Sequence, residues 1–283
     1  VHSGDSIAVY PPQSLSQEHI DTLVEYTVRL AKGLNIVGLL NIQYVISHGE
    51  VFVLEVNPRS SRTVPFLSKI TKVPMANLAM KGILGESLAS KGYKTGLIPT
   101  GDKVYTKVPV FSFQKLKDVD TTLGPEMKST GEVMGSDESL EKSLYKGLIS
   151  AGIKVKDQGS VLFTISGVAK EEAYKLAQRF SNLGYNLMAT EKTAQYFRDR
   201  GLRVETVGKI DENKYKHNVL DVIYKGHVDM IINTAAKKKS ATTDGFKIRR
   251  AASEQEIACL TSLDTADALL KVLESISFNV ASI

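Results

Sequence analysis

Strand-like and helix-like segments alternate after residue 159, and this alternation restricts the fold more than any other feature of the sequence. Apolar strand-like runs lie at 160–166, 185–190, 203–207, 228–234 and 257–262. Amphipathic spacing predicts helices at 168–183, 191–200, 217–225 and 264–275. Strands alternating with helices predict a doubly wound parallel sheet, in which a ligand binds at the carboxyl ends of the strands.

Polar residues stand at or just after the ends of these predicted strands. They are Lys170, Thr190, Thr193, Lys209 and Asn233. Thr190 precedes a helix, where hydroxyls, backbone N–H groups and the helix dipole favour an anion. Because carboxyl ends of parallel strands meet at one edge, we expect an anion site there. The alternative is that the lysines are solvated and that Thr190 is a plain N-cap.

The first half of the chain predicts two helices followed by a connector. Helical spacing runs from residue 11 to 33, where Ser14 begins a capping-box pattern. Pro74 opens a second helix, with the sequence MANLAMKGIL. Residues 92–158 lack long periodic stretches and are punctuated by glycine and proline, apart from a short helix near 138–150. We therefore interpret this region as a connector.

Two strand-like runs, at 35–46 and 50–57, predict a β-hairpin. We expect a three-residue loop at 47–49, which places Glu55 opposite Asn41. A two-residue loop would shift the register by one and turn Gln43 to the other face. With the three-residue loop, one face of the hairpin carries Asn41, Gln43, Val53, Glu55 and Asn57.

One carboxylate and three amides on a common face fit a hard cation. Carboxylate and carbonyl oxygens are the ligands that Mg²⁺ prefers, and Mg²⁺ usually adds substrate phosphates to few protein groups. Arg59 and Arg62 follow in the sequence VNPRSSR and would neutralise phosphate oxygens. We therefore expect a buried strand that ends at a phosphate site. The alternative is a set of solvated polar positions at a strand end.

Composition excludes several classes of partner. The net charge of +5 is spread among acids, and the longest basic run is 237–239, without interleaved aromatics. We therefore expect no nucleic-acid binding, and we expect a solvated loop around Arg249-Arg250. No apolar stretch approaches the ~20 residues that span a bilayer, so we expect no membrane partner. The single cysteine, Cys259, lies in an apolar run and predicts a buried thiol in a reducing, cytoplasmic compartment.

Three stretches of the chain carry a family resemblance. The sequences GLLNIQYVISHGEVFVLEVNPRSSRTVPF, VHSGDS and LGPEMKSTGEVMG together resemble the large chain of carbamoyl-phosphate synthetase. The resemblance covers essentially the whole chain and implies an α/β protein. It implies the C-terminal part of an ATP-grasp domain at 1–110, with an antiparallel sheet and helices, a connector at 111–150, and a methylglyoxal-synthase-like allosteric domain at 151–283. The start at Val1 suggests a fragment of something longer.

The resemblance implies a ligase that phosphorylates carbamate with ATP, giving carbamoyl phosphate and ADP for pyrimidine and arginine biosynthesis. It implies Mg²⁺ or Mn²⁺, ATP as a substrate, and K⁺ as a further candidate ion. Metal positions correspond to Gln43, Glu55 and Asn57. Nucleotide contacts correspond to His2, Ser3, Gln43 and Glu55, and the catalytic arginines to Arg59 and Arg62. An ATP-grasp site closes between two lobes, and only the later lobe resembles this chain, so we expect the fragment alone to be inactive.

For the second half, the resemblance implies a regulatory nucleotide-monophosphate site formed by Lys170, Thr190, Thr193, Lys209 and Asn233. UMP is the first candidate and IMP the second. The implied partners are a glutaminase small chain and further copies in an oligomer. Ornithine control is not expected, because YTKVPV lacks the required glutamate. The alternative function is a methylglyoxal synthase-type lyase acting on a triose phosphate, for which Glu191 is the nearest acid.

Overall fold

The structure of the protein is a computed structural model that describes residues 3–99, 101–113, 123–124, 126–156, 158–210, 214–234 and 244–280. One unit of the chain is Val9–Tyr105, and the other combines Val1–Ala8 with Thr106–Ile283. The boundaries fall within strands β1 (Ala8–Tyr10) and β4 (Val104–Val110). These strands form a three-stranded sheet with β5 (Gly131–Asp137), in the order β1-β4-β5.

The unit Val9–Tyr105 contains three α-helices and a hairpin among its described residues. They are α1 (Gln17–Gly33), β2 (Asn41–Ser47), β3 (Glu50–Asn57), α2 (Thr63–Thr71) and α3 (Met75–Ile83). The N-cap of α1 is Ser16, whose hydroxyl accepts from the His19 N–H at 3.2 Å, so the predicted cap at Ser14 is wrong by two residues. Helix α2 was not predicted. Its Pro65 lies in the first turn, where proline is tolerated although it breaks a helical pattern.

Few side chains are buried in this unit. Among its described residues, Phe66 and Leu78 are the buried apolar side chains. Phe52, Val53 and Leu54 are exposed by 47%, 40% and 55%. The expectation that strand β3 is buried is therefore wrong for this chain. A two-stranded hairpin without further cover has marginal stability.

The other unit is built on a five-stranded parallel sheet in the order β10-β9-β6-β7-β8. This confirms the predicted doubly wound sheet, with all five predicted strands present. The strands are β6 (Ser160–Thr164), β7 (Asn186–Thr190), β8 (Glu205–Val207), β9 (Met230–Asn233) and β10 (Ala258–Leu260). The helices are α5 (Lys170–Asn182), α6 (Glu191–Arg198), α7 (Val219–Tyr224), α8 (Asp244–Glu254) and α9 (Leu263–Val280).

Helices cover both faces of this sheet because the side chains of each strand alternate between them. On one face, Phe163 of β6 packs edge-on against Phe180 and Phe197, with ring centroids 6.2 and 5.4 Å apart. On the other face, the neighbouring Leu162 belongs to a separate apolar cluster with residues of α7 and α8, including Val222. Both clusters contain fully buried side chains, so this unit has a core on each side of the sheet.

The region predicted as a connector contains regular structure. Strands β4 and β5 lie in it, and helix α4 (Leu140–Ser150) confirms the predicted helix near 138–150. Helix α4 lies so close to β5 that a Cβ on Gly135 would fall on the Ser143 carbonyl oxygen and within 2.7 Å of Gly147 N. Residues 106–158 of the predicted connector belong to the unit that contains the parallel sheet, and residues 92–105 belong to the other unit.

The start of the chain is held within the same unit by the buried carboxylate of Asp5. This carboxylate accepts hydrogen bonds from the backbone N–H groups of Lys128 and Ser129, at 2.9 and 3.0 Å. A Cβ on Gly4 would lie 2.7 Å from the sulfur of Met127, so the two segments approach closely. The sequence GDS thus binds the loop that contains EMKST. None of the described helices combines the length and the apolar character needed to cross a membrane.

Candidate functional site

The hairpin turn determines which hairpin side chains share a face. The turn is the two-residue segment His48-Gly49, with φ values of 52° and 83°. Two successive left-handed residues match the right-handed twist of the strands, and histidine tolerates this conformation better than most side chains. Ser47 therefore pairs with Glu50, and the expected three-residue loop at 47–49 is wrong.

A β-bulge then corrects the register farther along the hairpin. Tyr44 pairs with Val53, but the register shifts between Gln43 and Tyr44, so that Gln43 pairs with Glu55. The unpaired extra residue is Leu54. Because a bulge places two residues opposite one, it returns Gln43 to the face of Glu55 and leaves Val53 on the other face. Without the bulge, the observed turn would have separated them.

The resulting face carries Asn41, Gln43, Glu55 and Asn57, with Asn41 paired to Asn57. The Asn57 amide nitrogen donates to Glu55 Oε1 at 2.8 Å. The side-chain oxygens of Gln43, Glu55 and Asn57 have the chemistry that Mg²⁺ or Mn²⁺ requires, so these residues fit the implied ion. In the described part of the chain, no group of three or more His, Cys, Asp or Glu residues could hold a metal. Mg²⁺ usually combines few protein ligands with water and substrate phosphates, and an ion on this face would do the same.

The two predicted catalytic arginines lie between the hairpin and helix α2. Arg59 is exposed, and its Nη1 donates to the carbonyl oxygen of Ser60 at 2.9 Å. Arg62 is half-buried at the N-cap position of α2, where the helix dipole adds positive potential. His2 lies outside the described residues. Ser3 begins a short 3-10 turn that ends at Asp5, and its side chain is not among those described.

The second candidate site lies where the strand order of the parallel sheet reverses. The chain passes from β6 to β7 and β8 on one side, and then returns to β9 on the other side of β6. In such sheets, a crevice opens outside the carboxyl ends of the strands at this switch point. Thr164 and Asn233 end the two central strands and are paired across them. The predicted polar residues therefore lie at the edge where this fold binds ligands.

Lys170 and the first turn of α6 form one group at this edge. The Lys170 ammonium donates to the carbonyl oxygen of Lys192 at 2.9 Å. Burial, and then the charge of Lys192, lower the pKa of Lys170. Thr190 is the N-cap of α6, and its side chain makes no capping hydrogen bond. Thr193 is buried, with 1% of its surface exposed. A cation thus lies at the positive end of a helix, which favours an anionic ligand.

Lys209 is exposed beyond the end of β8, near the acidic residue Glu191. Glu191 Oε1 accepts from Lys214 Nζ at 2.7 Å and from Tyr215 Oη at 2.6 Å. These two hydrogen bonds, aided by the charges of Lys214 and Lys209, lower the pKa of Glu191. A carboxylate that is stabilised as an anion by two donors is a weak general base, so the geometry gives no support to the lyase alternative.

Asn233 lies in a network that the sequence did not reveal. Its side-chain nitrogen donates to Thr164 Oγ1 at 2.7 Å, and its oxygen accepts from Arg249 Nη1 at 2.7 Å. Nearby, Thr234 Oγ1 accepts from the Ser166 N–H at 2.8 Å. The polar end of the run VLFTIS could have indicated Thr164 and Ser166.

Arg249 could not be found from the sequence, because helix α8 was not predicted. It was expected with Arg250 in a solvated loop. Instead, both lie in α8, where the Arg250 guanidinium bonds Glu254 one turn later, at 2.7 Å. The basic run 237–239 lies outside the described residues.

Family matches include the hairpin site and most of the second candidate site, although Lys170 lies just before the second match. Residues 1–91 match a family model described as carbamoyl-phosphate synthase L chain, ATP binding domain. Residues 172–261 match a family model described as MGS-like domain. This order matches the C-terminal part of a carbamoyl-phosphate synthase large chain. The first match contains the hairpin face and Arg59, and the second contains Glu191 and Asn233. The chain thus combines part of an ATP-binding, ligase-type ATP-grasp domain with an MGS-like domain.

Two solved structures are similar to parts of this chain. A crystal structure of ForH has 22% sequence identity and a TM-score of 0.33, and the match covers 41% of this chain and 79% of that chain. The biotin carboxylase domain of a single-chain bacterial carboxylase has 16% identity and a TM-score of 0.41, with 51% of this chain and 38% of that chain covered. Because both TM-scores are below 0.5, the family matches alone carry the assignment.

Proposed function

We propose that the hairpin unit takes part in the ATP-dependent phosphorylation of carbamate to carbamoyl phosphate. The enzyme would be a cytoplasmic, glutamine-hydrolysing carbamoyl-phosphate synthase that serves pyrimidine and arginine biosynthesis. The observation that supports this proposal is the pairing of Gln43 with Glu55 across the bulge, with Asn57 on the same face. Oxygen ligands of both strands are thereby gathered where a metal-bound triphosphate would lie.

In the proposed step, an oxygen of carbamate forms a bond to the γ-phosphorus of ATP. The bond from this phosphorus to the β–γ bridging oxygen breaks, and its electron pair leaves with ADP. Gln43, Glu55 and Asn57 would hold Mg²⁺ or Mn²⁺, and the ion would supply charge neutralisation of the triphosphate. Arg59 and Arg62 would stabilise charge on the transferred phosphoryl group. The protein mainly positions and neutralises in such reactions.

The hairpin unit needs further structure to complete this site. Phe52 and Leu54 on β3 are half exposed, and the described part of the unit buries few apolar side chains. We therefore propose that the 283-residue chain does not turn over alone. Purified chain mixed with ATP, Mg²⁺ and carbamate is expected to release ADP no faster than a protein-free blank. Measurable turnover would contradict this proposal.

The role of Glu55 can be tested in the complete large chain assembled with its glutaminase small chain. The assay is ATP formation from ADP and carbamoyl phosphate, the reverse of the proposed step. Glu55→Gln keeps the shape of the side chain but removes the charge, and we expect a loss of about 10²–10³-fold. Glu50→Gln, on an exposed residue beside the turn of the same hairpin, is the matched control. Equal rates for the two variants would reject the proposed metal site.

We propose that the parallel-sheet unit binds a nucleotide monophosphate and regulates the joined ligase. UMP is the first candidate and IMP the second. The phosphate would bind at the start of α6 beside Lys170, whose ammonium already lies against the first turn of that helix. Binding there would shift the activity of the ligase through a coupling free energy of typically ~1–3 kcal/mol. The complete enzyme is proposed to be oligomeric.

Calorimetric titration of the chain with UMP, IMP and ornithine tests this regulatory site. We expect a single-site isotherm with UMP or IMP and no heat with ornithine. Lys209→Ala is expected to weaken nucleotide binding at least tenfold, because Lys209 lies at the carboxyl edge of the sheet. Lys225→Ala is the control. Lys225 is exposed and follows directly after α7, the helix that leads the chain back from the carboxyl edge of the sheet towards the opposite edge. Absence of heat with both nucleotides would refute the regulatory proposal.

A further inference from the structure

Both polar atoms of the Asn233 side-chain amide are hydrogen-bonded at the point where the strand order of the sheet reverses, the nitrogen to Thr164 and the oxygen to Arg249. We infer that Arg249 is a positioning residue, which determines the atom that Asn233 presents to the crevice at the ends of β6 and β9. The inference deepens the proposed nucleotide site and rests on it for the identity of the ligand. It adds a residue of α8 to the site, and it specifies what kind of ligand atom Asn233 can accept.

The chemistry of the two neighbours of Asn233 assigns the orientation of its amide. A guanidinium has five donors and no acceptor, so the Asn233 atom 2.7 Å from Arg249 Nη1 must be the carbonyl oxygen. The amide nitrogen then faces Thr164 Oγ1, which accepts one of its hydrogens at 2.7 Å. The opposite rotation would bring an NH₂ group against the guanidinium, donor against donor. Arg249 therefore permits only one of the two amide orientations.

The first turn of α8 leaves room for this contact. A Cβ on Gly245 would lie 3.1 Å from Arg249 Nη1 and 3.6 Å from Asn233 Oδ1. The guanidinium thus lies beside the backbone of Gly245, one turn before its own position in the helix. Asn233 is 3% exposed, so bulk water cannot replace a lost partner without rearrangement. The orientation of the amide is therefore controlled by protein groups.

An amide fixed in this way offers the second hydrogen of its nitrogen. The ligand atom that binds Asn233 must then be a hydrogen-bond acceptor, such as a hydroxyl, carbonyl or phosphate oxygen of a nucleotide. A ligand that placed an N–H donor against Asn233 would face the Asn233 N–H, so that two donors would meet without an acceptor. A buried polar mismatch of this kind discriminates strongly between ligands. Arg249 would therefore affect ligand selection without touching the ligand.

The orientation can be measured without any nucleotide. In ¹⁵N-labelled chain, the Asn233 side-chain NH₂ is expected to give two well-separated proton signals with slow solvent exchange. Arg249→Met removes the donor, so we expect both signals to shift towards the positions of a solvated amide and to exchange at least tenfold faster. Arg249→Lys keeps a donor and is expected to retain the original pattern. Arg250→Met is the matched control, because the Arg250 guanidinium bonds Glu254 instead. Unchanged signals in Arg249→Met would overturn the inference.

Calorimetry with UMP and IMP then tests the consequence for binding. We expect Arg249→Met to weaken the better nucleotide about tenfold, and Arg249→Lys to restore affinity to within about threefold of the original chain. Asn233→Asp keeps an acceptor for Arg249 but loses the N–H, so it is expected to bind at least tenfold more weakly. Unchanged affinity in Arg249→Met despite altered amide signals would overturn the role in ligand selection. Failure of the original chain to bind either nucleotide would refute the regulatory proposal, while the amide signals would still decide the orientation.

Discussion

Substitution of Gly135 by alanine is expected to separate helix α4 from strand β5. The added methyl group would overlap the Ser143 carbonyl oxygen and approach Gly147 N and Thr106 Oγ1 to 2.7 Å. Two of these three atoms belong to the backbone of α4, so no side-chain rotation can relieve the overlap. The helix must move, and the buried hydrogen bond from Thr106 Oγ1 to Ser143 O, 2.8 Å long, must then lengthen or break.

The expected cost combines two effects. Overpacking a closely packed contact costs about 1–3 kcal/mol. A buried polar group that loses its partner adds about 1–3 kcal/mol. Alanine also lowers the conformational entropy of the unfolded chain, which stabilises the fold by less than about 1 kcal/mol. We therefore expect the opening free energy of α4 to fall by about 1–6 kcal/mol in Gly135→Ala.

Native-state hydrogen exchange of the amides of α4 is the appropriate assay, because a chain with two units does not have a single free energy of unfolding. Gly131→Ala is the matched control on the same strand. A Cβ at Gly131 would have Val110 Cβ as its nearest neighbour, at 3.9 Å, which is an ordinary contact. We expect its effect to stay within about 0.5 kcal/mol. Equal protection of α4 in the two variants would refute the argument from close packing.

Three further outcomes are expected. Asp5→Ala removes the acceptor of two backbone N–H groups, so amides of 126–130 should exchange at least tenfold faster, and unchanged exchange would contradict the proposed attachment. Burial alone would raise the pKa of Asp229, but hydrogen bonds from Lys156 and the Ser160 N–H outweigh it and hold this pKa below 3.8. Its charged form therefore stabilises the fold above about pH 4. Asp229→Asn should cost about 1 kcal/mol at pH 7 in urea unfolding of the parallel-sheet unit, followed by amide signals of that unit, and the difference should disappear as the pH falls through the lowered pKa. Cys259 is half-buried, and burial raises the pKa of its thiol to about 12. A thiol reagent at pH 8 should therefore label the native chain much more slowly than the unfolded chain, and equally fast labelling would argue against this shielding.

The hairpin shows how a correctly predicted shared face can arise from an incorrect register. The residue types of Gln43, Glu55 and Asn57 predicted a shared face, and the structure places all three on it. The predicted loop was wrong, because the twist of the strands favours a two-residue turn at His48-Gly49. The bulge at Leu54 compensates for the shift. Nothing local in the sequence marks this bulge, because it depends on pairing between the two strands. The catalytic and metal-binding roles of these residues stay predictions.

The amino-acid sequence by itself determined the parallel sheet and the edge at which its polar residues gather. Apolar periodicity is a local property, and the crossover rule converts it into a topology in which Lys170, Thr190 and Asn233 reach the same edge. Only the tertiary structure decided which helix completes the site. The contact between Arg249 and Asn233 joins residues of α8 and β9 through the room left by Gly245, and such a contact depends on how a helix packs on a sheet. Packing of this kind is set by distant side chains, so no pattern within either segment could indicate it.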